Sequence, residues 1–209
     1  ADSIFLLASI TKPVTACALM QLVDKGLISL DDPVQQHLPE FTGWDKGQIT
    51  VRQILSHISG MPDMLPENTE LRRAHRPMSA FVQGALHTNL LYLPGTDFSY
   101  QSKGILLAAE IVERITGQRL RDVEKAGIFQ PLGMHRSCLG IDDFDISDTV
   151  WVGTSMDESK DAQHWGANSA YWRDFGCPWG GMNSTGPDLG ALLQCMLNGG
   201  AYGDQRVLS

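Results

Sequence analysis

Ser9 and Lys12 are the residues whose types and spacing speak most directly of chemistry. They stand three positions apart at the mouth of an apolar stretch, Pro13 to Val23, that ends at Lys25-Gly26. That stretch reads as a helix with a glycine stop and a cation in its last turn. Residues three apart share a helix face, with Cβ atoms roughly 5–6 Å apart. Pro13 is tolerated because it falls at the helix start. The spacing therefore sets a hydroxyl beside an amine, above the positive end of a helix. This is the arrangement of an activated serine nucleophile. The plain alternative makes Ser9 a helix cap and Lys12 a solvated lysine. The neighbours argue against it. Ile4 to Ala8 before the pair is apolar, and Val14, Cys17, Ala18, Leu19, Met20, Leu22 and Val23 after it are apolar nearly all round. Such a helix is buried. A lysine at its base is expected to be partly buried, and burial disfavours a charged amine.

Tyr100 follows Pro94-Gly95-Thr96-Asp97-Phe98-Ser99 and precedes a helix opening at Ser102. Alone it reads as a packed aromatic. Beside a Ser/Lys pair it becomes a candidate general base, since a cationic neighbour stabilises a phenolate. Ser56-His57 only resembles a catalytic pair. Adjacent residues point different ways on a helix, so His57 reads as a structural, hydrogen-bonding histidine. Gly180-Gly181-Met182-Asn183-Ser184-Thr185 is glycine-rich but lacks the lysine of a phosphate loop. It reads as a tight turn, in which the Asn183-Ser184-Thr185 glycosylation sequon is accidental.

Several elements must position these side chains. Thr50 and Gln53 form a capping box that opens a short helix, Val51 to His57. Residues 61–78 mix Pro, Glu, Asn and Arg and read as a surface loop. Ser79 to His87 is expected to be helical. Ser102 to Ile115 carries an apolar stripe of Ile105, Leu106, Ala109, Val112 and Ile115, with Gly117 as its stop. A short helix follows from about Leu120 to Lys125, and Ile128 to Met134 is a connector. Residues 139–180 are irregular, acidic and then aromatic, with Trp151, Trp165, Tyr171, Trp172, Phe175 and Trp179. They read either as satellite packing or as the wall of a substrate pocket. Thr185-Gly186-Pro187-Asp188 opens the last helix, whose Leu189, Leu192, Leu193, Met196 and Leu197 are expected to face a core. Strand signals are sparse.

The chain has 209 residues, 43% hydrophobic and 19% charged, with a formal net charge of −8. That acidity argues against a nucleic-acid partner, which needs a basic face. No apolar run approaches the roughly 20 residues of a membrane span, so no transmembrane segment is expected. Ala1-Asp2-Ser3 does not read as a signal peptide, and compartment is left open. Cys17, Cys138, Cys177 and Cys195 show no metal-ligand spacing, so neither a metal nor another cofactor is expected. Cys17 and Cys195 read as buried small hydrophobes. Cys138 and Cys177 could pair only if the fold brings them together.

The order of short motifs is more specific than any one of them. Ala8-Ser9-Ile10-Thr11-Lys12-Pro13 is followed by Leu30-Asp31-Asp32-Pro33 and Leu38-Pro39-Glu40-Phe41. Ile49 to Pro62, Pro94-Gly95 with Phe98-Ser99-Tyr100, Glu113 to Gly117, Pro131-Leu132-Gly133-Met134 and Gly180 to Thr185 come next. The set resembles the serine β-lactamase-related family, which includes class C β-lactamases, D-Ala-D-Ala carboxypeptidases and related esterases. The resemblance covers nearly the whole chain.

It implies an α+β fold, β-lactamase/DD-peptidase-like, mostly helical here with remnants of an antiparallel sheet. It implies a single domain over residues 1–209, incomplete at both ends. By the same resemblance Ser9 is the acylated nucleophile, Lys12 its proton-transfer partner and Tyr100 the tyrosine that shares acid and base duty. The substrate would be a small ester, β-lactam or D-Ala-D-Ala-type peptide. The Ser9 backbone N–H would be one oxyanion donor. Ser102 stands where the family pattern has asparagine, as a substrate-binding hydroxyl with shorter reach, which favours esters over amides. The family's third motif, a Lys or His followed by a small residue and glycine, is absent. The isolated residues are therefore expected to be weak or inactive as a hydrolase. A penicillin-binding or sensor module that stays acylated, or a scaffold without turnover, is the alternative. The first and last helices are each expected to leave an apolar face uncovered, which would promote self-association.

Overall fold

The computed structural model describes residues 2–43, 45–141, 144–153 and 160–209. Part of the acidic stretch within 139–180 lies outside them. In chain order, β1 (Phe5–Leu6) and a 3-10 turn (Ala8–Ile10) lead into α1 (Thr11–Asp24). Then come α2 (Val34–His37), α3 (Val51–Leu55), α4 (Asn68–Arg73), α5 (Met78–His87), α6 (Lys103–Thr116) and α7 (Leu120–Glu124). A π turn (Lys125–Phe129), β2 (Cys138–Leu139), α8 (Ala170–Phe175), β3 (Met182–Ser184) and α9 (Gly186–Leu197) follow, before a hairpin of β4 (Ala201–Tyr202) and β5 (Gln205–Arg206).

The core forms where α1 packs on α6. Val14, Ala18, Leu19 and Leu22 of α1 meet a layer that includes Leu107, Ala108, Ile111 and Val112 of α6, all fully or almost fully buried. Each such Leu, Ile or Val contributes about 1.5–3 kcal/mol relative to exposure. α6 stops at Gly117, whose φ of +68° is the left-handed conformation glycine adopts without penalty. The Thr50 capping box is present, with Thr50 and Gln53 bonding each other's backbone N–H groups. The Thr185 hydroxyl accepts from Asp188 N and so caps α9.

The small sheet has the order β1-β3-β2, antiparallel throughout. Leu6 pairs with Asn183 on one side of β3, and Cys138 pairs with Asn183 on the other. Gly180 to Thr185 is thus more than a turn, because Met182–Ser184 is the central strand. Asn183 is fully buried, its amide donating to Gly140 O and its oxygen accepting from Arg173. A folded chain offers no sequon there.

Other expectations need correction. Residues 61–78 hold α4, kept in place by Arg72, whose guanidinium lies 3.7 Å from the Trp172 ring and donates to Trp165 O. The 139–180 stretch holds α8, capped by the Ser169 hydroxyl accepting from Trp172 N and stopped by Gly176 at φ +61°. The helix after Thr50 ends at Leu55, short of His57. α1 is covered rather than bare. α9 differs: Leu192 and Cys195 are buried, while Leu193, Met196 and Leu197 face outward, Leu197 at 82% exposure. Among the described residues no helix is long and apolar enough to cross a membrane. The four cysteines are buried thiols, with no Cys138–Cys177 disulfide.

Candidate active site

The chain turns from β1 into α1 through Ala8, and that turn aims Ser9. Ala8 has φ +47°, a left-handed conformation that costs a non-glycine residue about 1–2 kcal/mol. The surroundings hold it there. Leu7 N donates to Met182 O at 2.9 Å. The Thr11 hydroxyl donates to Ala8 O at 2.7 Å and accepts from Met182 N at 3.1 Å. Backbone strain beside a candidate nucleophile is over-determined by its neighbours, as is typical of functional sites.

Lys12 lies one turn inward, at 6% exposure. Its Nζ donates to Ser9 Oγ at 2.9 Å and to Trp179 O at 3.0 Å. Tyr100 arrives from the loop before α6. Lys12 Nζ sits 4.7 Å from the centroid of its ring. Burial pushes the Tyr100 phenol up, but the polar neighbours Lys12 and Ser9 and the Lys12 charge outweigh it and hold the phenol below its ordinary range. Ser9, Lys12 and Tyr100 therefore converge, with Ser9 and Tyr100 open to solvent and the amine between them enclosed.

His57 backs the tyrosine. Its ring lies 4.8 Å from that of Tyr100 and 6.0 Å from that of Phe98. Nδ1 accepts from Gln101 N at 3.3 Å, so that nitrogen carries no proton. Burial first, and then the Lys12 charge, lower the His57 pKa, against an opposing pull from Asp63. That lowering favours the neutral imidazole, whose ring packs against Tyr100. The hydroxyl of Ser56, the neighbour of His57, donates to Arg52 O within its own turn.

Ser102 is buried at the mouth of α6. Its backbone N–H donates to Asp63 Oδ1 at 2.7 Å, and Lys103 N donates to Asp63 O at 3.2 Å. Asp63, not Ser102, caps this helix. Ser102 lines a narrow cleft with Met64, Leu65, Phe81, Leu106 and Trp179. The cleft measures about 10 Å³, room for about one water. It adjoins the site through Trp179, whose carbonyl holds Lys12. Among the described residues no group of His, Cys, Asp or Glu could hold a metal. Sequence reasoning missed Asp63, the Trp179 carbonyl and the Thr11 bridge. An aspartate some forty residues before the helix it caps, and a carbonyl that every residue possesses, leave no local mark on the sequence.

Residues 1–209 match the beta-lactamase family from end to end. The chain belongs to the beta-lactamase family. It is similar to penicillin-binding protein 4 of Amycolatopsis lactamdurans, 35% identical over 139 residues, which cover 65% of this chain and 36% of that protein. It is similar to esterase EstB of Burkholderia gladioli, 32% identical over 152 residues, covering 66% of this chain and 38% of that one. The crystal structure of D-amino acid amidase from Ochrobactrum anthropi SV3 superposes on the whole chain and 59% of its own, with a TM-score of 0.75 and 26% identity. The chain thus spans less than two thirds of the length of each of these relatives. The fold is the α+β fold of beta-lactamases and penicillin-binding proteins, mostly helical in these residues with small antiparallel sheets. The relatives and structural neighbours of this chain carry names that include an esterase, a putative D-alanyl-D-alanine carboxypeptidase and a D-amino acid amidase.

Proposed function

We propose that the chain carries the acylation centre of a serine acyl hydrolase, with Ser9 as nucleophile. One observation carries the reading: a single enclosed amine bonds Ser9 Oγ at 2.9 Å and lies 4.7 Å from the centroid of the Tyr100 ring. In this reading Ser9 Oγ attacks a carbonyl carbon and forms a C–O bond as its proton passes to Lys12 or to the Tyr100 phenolate. The carbonyl becomes a tetrahedral oxyanion, for which the Ser9 backbone N–H is one donor. Collapse breaks the ester or amide bond, and the leaving group takes the proton back from Tyr100 or Lys12. Water then cleaves the acyl-enzyme through the same groups in reverse roles.

The substrate class is a small ester, a β-lactam or a D-Ala-D-Ala-type amide. Ser102, which lines a narrow cleft together with Trp179, supports esters first. A hydroxyl there offers one donor where an asparagine amide offers two. The test is incubation of the chain, and of any longer polypeptide that carries it, with a fluorescent penicillin and a short-chain nitrophenyl ester. Turnover that Ser9→Ala abolishes supports the hydrolase. Stable labelling without turnover identifies a penicillin-binding relative that stays acylated. Neither labelling nor turnover leaves a scaffold.

A further inference from the structure

Glu124, at the end of α7, is fully buried against α1. Its only hydrogen-bond partner among the described residues is the Thr15 hydroxyl, 3.2 Å from Oε1, and Oε2 has none. Thr15 is fully buried as well, and its Oγ1 also lies 2.9 Å from Pro178 O. A threonine hydroxyl has one proton to give. A carbonyl has none, so the Pro178 contact is a hydrogen bond only if Thr15 spends its proton there. The contact with Glu124 is then a second hydrogen bond only if Glu124 supplies a proton of its own. Thr15 lies three residues beyond Lys12 on the same face of α1. The two grip consecutive carbonyls: Thr15 holds Pro178 O and Lys12 holds Trp179 O.

We infer that Glu124 is kept as a neutral carboxylic acid, donates to Thr15 Oγ1, and serves as a positioning residue that fixes the Pro178–Trp179 segment beneath Lys12. No covalent step is involved. When Glu124 loses its proton, the carboxylate claims the Thr15 hydroxyl proton, Pro178 O loses its donor, and the acceptor carbonyl of Lys12 is released. Burial agrees with this, since it pushes the Glu124 carboxyl up to about 8 against the opposing Thr15 bond. Among the described residues no cation acts on it: burial and the Thr15 bond alone set its shift. From α1, Cys17 feels its charge but is a thiol pushed up to about 11, chiefly by burial, with Cys195 of α9 behind it. In the 177–178 segment, Cys177 is pushed up to about 12 by burial. From α6, Glu113 bonds Leu120 N at the other end of α7. From β2, Cys138 donates to Gly140 O. The relevance of Glu124 to catalysis rests on the acylation centre proposed above, whereas its protonation does not.

The experiment follows the backbone amides of Trp179 and Gly180 and the Lys12 side chain by NMR from neutral into alkaline pH, in the wild-type chain and in Glu124→Gln. Glutamine keeps a donor for Thr15 and cannot ionise. The expected result is a shared titration of these resonances in the wild type that is missing in Glu124→Gln. Thermal unfolding is expected to lose stability with rising pH in the wild type and to lose less in the variant. Resonances that stay still, or that move identically in both proteins, overturn the proposal. Penicillin labelling run alongside separates the two readings: a titration that persists without Ser9 labelling supports Glu124 and counts against the acylation centre alone.

Discussion

Lys12 of α1 and Glu124 of α7, whose partner Thr15 lies one turn along α1 from Lys12, are both buried and are provided for in opposite ways. Lys12 has two oxygen acceptors at 2.9 and 3.0 Å and a phenol against it. Among the described residues Glu124 has one hydroxyl, and its other oxygen has no partner. A buried ionisable group with several oriented partners can exchange a proton with them. One with a single partner is stable only in its neutral form. The contrast teaches that burial alone does not mark a reacting group; what surrounds it does.

Each prediction presses on that contrast. Ser9→Ala is expected to remove penicillin labelling and ester turnover altogether, read by gel fluorescence and nitrophenol release. Lys12→Met takes away the amine while keeping the apolar stem, and is expected to slow acylation by about 10³–10⁴-fold. Glu124→Gln bears on stability. With the folded carboxyl raised from 4.5 to about 8, the native state binds the extra proton across that window, so wild-type stability falls as pH rises through it. The fall is on the order of 5 kcal/mol, and the slope is smaller in the variant, as followed by thermal unfolding at several pH values. Tyr100→Phe is expected to slow acylation about 10²-fold and to leave unfolding unchanged. Thr15→Val leaves Pro178 O and Glu124 without their shared partner, and is expected to destabilise the chain by about 1–3 kcal/mol, measured by urea titration.

Much of the frame was legible because its signals are local. The Thr50/Gln53 box, the Gly117 stop and the Thr185 cap with Pro187 each lie within one helical turn of what they control. The Ser9–Lys12 spacing is local too, and the structure brings the side chains together. What was not legible is held by distant partners. β3 is a strand because Phe5 and Cys138, far away in sequence, pair with it. α4 is pinned by Arg72 against Trp172, and no periodicity reveals that contact. The outward face of α9 carries the same leucines that suggested a core, because an apolar pattern does not say whether anything covers it.

The central claim is that Ser9 Oγ is the group that takes the acyl chain. Mass spectrometry of the peptide containing Ser9, after exposure to a β-lactam, tests it most directly. The expected spectrum shows the acyl mass on Ser9 in the wild type, depleted in Lys12→Met. An acyl mass on a different residue, or labelling of Ser9→Ala at the wild-type level, would contradict it.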